Sequence, residues 1–177
     1  MARLPYADLN APEARPLVDR IVAERGSVLH LYQMLLHSPP VAQGWLGYLT
    51  AIRQQCKLSG ALRELVIMRV AGLNGAPYEA GQHAPIALRE GITQTQLDEL
   101  DQWPTSSQFT DAQRAVLALT DGMTRQVQVP PEAVAAVRTF LDDREVIELV
   151  ATVAAYNMVS RFLEALDIHA SDERPAG

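Results

Sequence analysis

Cysteine is almost absent from this chain, with Cys56 the single example among 177 residues. One thiol excludes an internal disulfide and any intramolecular dithiol chemistry. Basic residues are also in deficit, 15 Lys and Arg against 21 Asp and Glu, for a formal net charge of -6. Binding a nucleic-acid backbone normally requires clustered cations that displace counterions, so DNA and RNA are not expected partners. Residues 1–16 scatter Arg, Pro, Asp and Glu among isolated apolar residues, so a secretory leader is not expected there. No stretch reads as about 20 uninterrupted apolar residues. The most apolar run, 146–159, contains Glu148 and Asn157. The expectation is a soluble, cytoplasmic protein with no membrane partner.

What is present is the composition of an ordinary globular protein, 48% hydrophobic and 20% charged, which argues against disorder or a fibrous repeat. The length suits a single domain, 1–177. Apolar residues recur at helical rather than strand spacing throughout. Leu17, Val18, Ile21 and Val22 predict a first helix ending at Gly26, so that 1–26 form a helical lead-in. Leu29, Tyr32, Leu35 and Leu36 predict a second, which Ser38-Pro39-Pro40 stops while opening a third with Val41, Trp45, Tyr48, Leu49 and Ile52 on one stripe. Ser59 is a candidate cap for a helix that runs to the Asn74-Gly75 breaker, and Pro77 restarts the chain for a helix ending at Gly91.

Two capping boxes follow, Thr93 with Gln96 and Thr110 with Gln113. Between them, 103–108 reads as a linker with Pro104 and two serines. A further helix over 133–141 is expected after Val129-Pro130-Pro131. The last segment, 142–166, begins with Val and Ile in a way that suits a strand. Its length, its acidic start and the spacing of Val146, Leu149, Val150, Val153, Met158, Phe162 and Leu166 favour one buried helix instead. Arg63-Glu64-Leu65-Val66-Ile67 is echoed by Arg144-Glu145-Val146-Ile147, the trace of a degenerate two-helix repeat. The tail, 171–177, reads as frayed. The fold class is therefore all-α.

Chemistry concentrates between Arg63 and His83. Glu79 and His83 lie four residues apart and share one helix face, where a carboxylate can orient an imidazole and suit it to proton transfer near neutral pH. The same spacing also occurs on solvated helix faces that do nothing. Glu64 adds weight because Leu62, Leu65, Val66 and Ile67 surround it: a buried carboxylate needs a partner, and the Asn74-Gly75 turn would bring His83 back towards it. The competing reading is an exposed Glu64 paired with Arg63 or Arg69. His30 and His37, seven apart, read as core-edge histidines, and Cys56 as a small, half-buried hydrophobe near a helix end.

The order Glu64, Ala76, Glu79, His83, together with Arg63-Glu64-Leu65-Val66-Ile67, Tyr78-Glu79, Gln82-His83 and the late Ala155-Tyr156-Asn157-Met158-Val159-Ser160-Arg161-Phe162, resembles the carboxymuconolactone decarboxylase and alkylhydroperoxidase D superfamily. The likeness covers roughly residues 27–166. In the alkylhydroperoxidase D branch the pattern is Glu, eleven residues, Cys, two residues, Cys, three residues, His. Here Ala76 stands at the first cysteine and Glu79 at the second, with Glu64 and His83 in register. The resemblance implies an alkylhydroperoxidase D-like helical bundle without the nucleophile of dithiol peroxidases.

It further implies a cofactor-free acid/base lyase or isomerase acting on a small carboxylated lactone or keto acid. In that reading His83 is the acid or base, Glu79 its partner or a second acid, and Glu64 the orienting carboxylate. Tyr78 stands beside them as a further proton donor, and Arg161 with Asn157 would hold a substrate carboxylate. Two alternatives stay open. One is a metal-dependent enzyme with Glu64, Glu79 and His83 as ligands; the other is a non-catalytic, ligand-binding scaffold. Family members assemble, so a homo-oligomer, trimer or hexamer, is expected under each.

Overall fold

Helical spacing of the apolar residues is realised as nine α-helices among the residues that the computed structural model describes, 1–175, and no strand occurs among them. They are α1 (Arg15–Arg25), α2 (His30–Leu35), α3 (Pro39–Thr50), α4 (Gly60–Asn74), α5 (Pro77–Arg89), α6 (Gln94–Asp98), α7 (Asp111–Arg125), α8 (Pro131–Val137) and α9 (Asp143–Leu166). A π-helical turn, Ala51–Gln55, prolongs α3. The punctuation follows the sequence closely. Ser59 accepts a hydrogen bond from the Leu62 amide at the start of α4, and both capping boxes form, satisfying amides that the first helical turn leaves without partners. Gly75 closes α4 at φ 62°, a left-handed conformation that a side chain would strain.

Contacts gather into two compact units, residues 55–162 and residues 1–54 with the segment from 163 onward. In the 55–162 unit, α4 packs against both α5 and α7, and α8 packs on α7. Its core joins Leu65, Ala87, Ile92, Leu100, Phe109 and Leu117, with Met68, Leu97 and Trp103 packed around them. Truncating a side chain such as Leu65, fully buried there, costs about 2–5 kcal/mol in comparable cores. The 103–108 stretch is a structured turn rather than a loose linker. The Arg114 guanidinium donates to the carbonyls of Trp103, Pro104, Ser106 and Phe109 and so holds the turn together.

In the other unit, α3 packs on α1 and α2 around Ile21 and Leu46, both fully buried. The lead-in expected over 1–26 is helical only from Arg15; before it the chain is tied by the Arg3 amide to the Leu166 carbonyl at 2.9 Å. The tail expected to fray is likewise anchored through Arg174. Asp172 accepts from the Tyr6 hydroxyl at 2.7 Å, and Arg174 donates to the Val28 carbonyl and to Gln33 Oε1. Residues 176 and 177 of that expected tail lie outside the described residues.

At 24 residues α9 is long and apolar enough to cross a membrane by length and composition, which Glu148 and Asn157 had argued against. Most of its apolar window is buried by protein, the situation of a core helix. Leu149, Val153, Ala155, Tyr156, Val159 and Leu163 are its most enclosed apolar positions.

Candidate active site

Two local devices bring the polar residues together. The left-handed Gly75 turns the chain between α4 and α5, and Pro77 pre-sets the backbone for the first turn of α5, so the two helices pack side by side. As a result Glu64, near the start of α4, meets His83, seven residues into α5. His83 Nδ1 donates to Glu64 Oε2 at 2.7 Å. Neither is solvated, Glu64 having no exposure and His83 7%. The Arg63 Nε donates to the other Glu64 oxygen at 3.1 Å while its Nη2 reaches Glu90 at 3.5 Å.

Burial pushes the Glu64 carboxyl up, but the hydrogen bond and charge of His83, with Arg63 behind them, outweigh it and hold the carboxyl below its ordinary 4.5. Glu64 is therefore an acceptor on both oxygens. A carboxylate on Nδ1 selects the tautomer in which Nε2 carries the lone pair, which is how a buried acid sets the chemistry of a histidine. The exposed, surface-paired Glu64 considered from the sequence does not occur.

Glu79, one turn before His83 on α5, is 2% exposed, and Ser160 Oγ of α9 donates to its Oε2 at 2.8 Å. Tyr156, one turn before Ser160, sets its ring edge-on to the His83 ring, with centroids 5.0 Å apart and planes at 89°. Tyr78 is buried beside Glu79 in the first turn of α5. Sequence reasoning had named Tyr156 and Ser160 only as part of the late stretch 155–162 and given neither a role at the site. The available signal was their own spacing: four residues apart on α9, they present one face, as Glu79 and His83 do on α5.

Asn157 departs from its expected role. Its Oδ1 accepts from Asn74 Nδ2 at 3.1 Å and from Arg161 Nη1 at 2.8 Å, and its Nδ2 donates to Thr124 Oγ1 and the Val153 carbonyl, both at 3.0 Å. With both donors and both lone pairs engaged, the amide is a brace between helices and has no capacity left for a substrate. Arg161 remains exposed, with one nitrogen held by Asn157. A second buried charge lies further along α4. Arg69, 3% exposed, donates through Nε and Nη2 to both oxygens of Asp121 at 2.6 and 2.7 Å, and through Nη1 to Asp101 at 2.9 Å.

The metal reading finds no geometry. Among the described residues no group of three or more His, Cys, Asp or Glu is arranged to hold an ion, because Glu64 binds one side of His83 while Glu79 is directed to Ser160. Cys56 is half-buried, and burial pushes its thiol up, away from the reactive thiolate. A trough of about 290 Å3 lined by Ala71, Gly72, Gly75, Ala76, Pro77 and Ala80 opens at the α4–α5 junction. The larger cavity, about 810 Å3, lies in the other unit, along α1 with Gln33 and Arg174, and contains none of these candidates.

Residues 39–122 match the carboxymuconolactone decarboxylase family. A protein of Bacillus subtilis (strain 168), the uncharacterized protein YdfG, is 25% identical over 122 residues, 68% of this chain and 83% of its own length. In structure, the alkylhydroperoxidase AhpD core of an uncharacterized peroxidase-related protein from Ralstonia eutropha JMP134 superposes with a TM-score of 0.82 at 19% identity, covering 97% of this chain and 93% of that one. A cysteine-to-alanine form of the debrominase Bmp8, in complex with 2,3,4-tribromopyrrole, superposes with a TM-score of 0.78 at 19% identity, over 93% and 89% of the two chains. The family match spans the α4–α5 pair that carries Glu64 and His83, and the all-helical fold is shared with the alkylhydroperoxidase AhpD core, while Ala76 and Glu79 leave this pair of helices without a cysteine.

Proposed function

We propose that this protein is a cofactor-free acid/base catalyst, a lyase or isomerase of the carboxymuconolactone decarboxylase type, acting on a small carboxylated lactone or keto acid. The buried pair of His83 and Glu64, 2.7 Å apart, carries the reading. Loss of carbon dioxide from such an acid leaves an electron pair on carbon that must be delocalised and then protonated. His83, protonated on both nitrogens, can deliver that proton from Nε2, and the ionised Glu64 stabilises the imidazolium that precedes delivery. Glu64 is held too acidic to be the donor itself, so its part is to orient and charge His83. Glu79 is a second acid on the same helix face. The exposed Arg161 is the cation available to a substrate carboxylate. Ala76 and Glu79 at the cysteine positions weigh against peroxide reduction.

The test is turnover of 4-carboxymuconolactone and a panel of related lactone and β-keto acids by the wild type beside Glu79→Gln and His83→Ala. Decay that collapses in both variants supports the reading. A flat panel would leave the scaffold as a binding or structural protein, in which case the same variants alter only stability or assembly. The reading includes a homo-oligomer, a trimer or hexamer, supported by large apolar side chains that remain exposed, Phe140 at 50% and Ile147 at 69%. Light scattering that finds only 19.4 kDa particles would overturn that part.

A further inference from the structure

Helix α9 meets α5 with a matched pair of side chains one turn apart. Tyr156 covers the His83 ring and Ser160 reaches Glu79, so a single turn of α9 touches both groups that the proposed chemistry would titrate. The Ser160 contact has an unusual property. Its Oγ, fully buried, lies 2.8 Å from Glu79 Oε2 and 2.9 Å from the Tyr156 carbonyl, both acceptors, yet the hydroxyl has one hydrogen. Only one of the two contacts can be a hydrogen bond from Ser160 at any moment.

We infer that Ser160 is a positioning residue whose hydroxyl switches between these two acceptors as Glu79 gains or loses a proton. When Glu79 is ionised, the Ser160 hydrogen points to its Oε2. The Tyr156 carbonyl loses little, because it still accepts from the backbone one helical turn on. When Glu79 takes up a proton, its own O–H donates to Ser160 Oγ, and the Ser160 hydrogen turns to the Tyr156 carbonyl. One proton is added and one hydroxyl rotates, and no heavy atom has to move. A carboxyl buried to 2% exposure thereby has a partner in both protonation states, the condition for a group that stores and returns a proton inside a protein. Ser160 of α9 meets Glu79 directly; His83 lies one turn on along the same helix, in contact with Tyr156 of α9 and held by Glu64 of α4. The use of the stored proton rests on the acid/base reading above; the switch itself does not.

The experiment is a pH titration of the carboxyl stretching band by infrared difference spectroscopy on the folded protein without substrate, with Glu79 assigned by Glu79→Gln. Wild type should show Glu79 taking up a proton within its stable pH range, with the acid band lowered by donation to Ser160. Ser160→Ala should raise that band and make Glu79 bind its proton roughly tenfold more tightly, because a charge-assisted bond to the carboxylate is lost against a weaker one to the acid. Ser160→Thr should restore both, and Ser160→Cys, which keeps the volume with a weaker donor, should fall between if the alanine variant folds poorly. A midpoint and band position unchanged in Ser160→Ala would overturn the inference, as would a Glu79 that stays ionised throughout. A flat substrate panel with these spectral shifts intact would sink the lyase reading alone.

Discussion

Helix α4 buries two charged side chains five positions apart and gives them opposite kinds of partner. Arg69 meets Asp121 through two parallel hydrogen bonds and Asp101 through a third, and Asp121 raises its already high proton affinity, so this cation never changes state. Glu64 meets the imidazole of His83, a side-chain type that can gain or lose a proton, and keeps Arg63 in reserve on its other oxygen. A saturated, permanently charged cluster can only hold α4 and α7 together. A carboxylate facing an imidazole can also stabilise a proton that comes and goes. Burial and charge alone therefore do not single out a candidate site; the titratability of the partner is what distinguishes Glu64 from Arg69.

The largest effect should come from breaking the fixed cluster. Arg69→Met leaves the largely buried Asp121 with only Arg125 at 3.8 Å and the Trp103 indole N–H at 3.4 Å, and urea denaturation should show a loss on the order of 3 kcal/mol. Next comes Glu64→Gln, which keeps the shape and, on the proposed acid/base reading, should lower turnover at least about 100-fold. Its stability should fall by only about 1–2 kcal/mol. A Glu64→Gln protein less stable than Arg69→Met would reverse the assignment of roles.

The acid dependence sharpens the same contrast more gently. Because Glu64 is held below its ordinary 4.5, the stability its pairing supplies is complete above that value and is lost as pH falls through the lower, folded-state value. Denaturation midpoints followed into acid should show the advantage of wild type over Glu64→Gln shrinking as pH falls below 4.5. An advantage that grows on acidification would contradict the depressed carboxyl. The smallest effect belongs to Cys56→Ser, which touches neither cluster. Turnover should not change and stability should stay within about 0.5 kcal/mol, and a loss of activity there would reopen thiol chemistry.

Much of the helical plan could be read from the chain because helix limits are written locally. Ser59, Gly75, Pro77 and the two Thr–Gln capping boxes satisfy or block backbone groups within three or four residues, so their effect needs no distant partner. The strand-like start of α9 was resolved the same way, by length and spacing. Where the reading failed, at the anchored tail and the braced 103–108 turn, the deciding bonds come from arginines far from or outside the segment itself, Arg174 on Val28 and Gln33, and Arg114 on the carbonyls of the turn.

The sequence by itself determined the resemblance to the carboxymuconolactone decarboxylase family, the helical plan, the absence of a dithiol, and the placing of Glu64, Glu79 and His83 on two successive helices. Their spacing and the Asn74-Gly75 turn are local facts, and one cysteine can be counted. Only the tertiary structure decided that Glu64 is fully buried on His83, that Glu79 is directed to Ser160, and that Asn157 braces helices instead of facing a ligand. Those outcomes depend on which faces of α4, α5 and α9 meet. That register is set by summed packing of apolar side chains far apart in the chain, and no short motif records it.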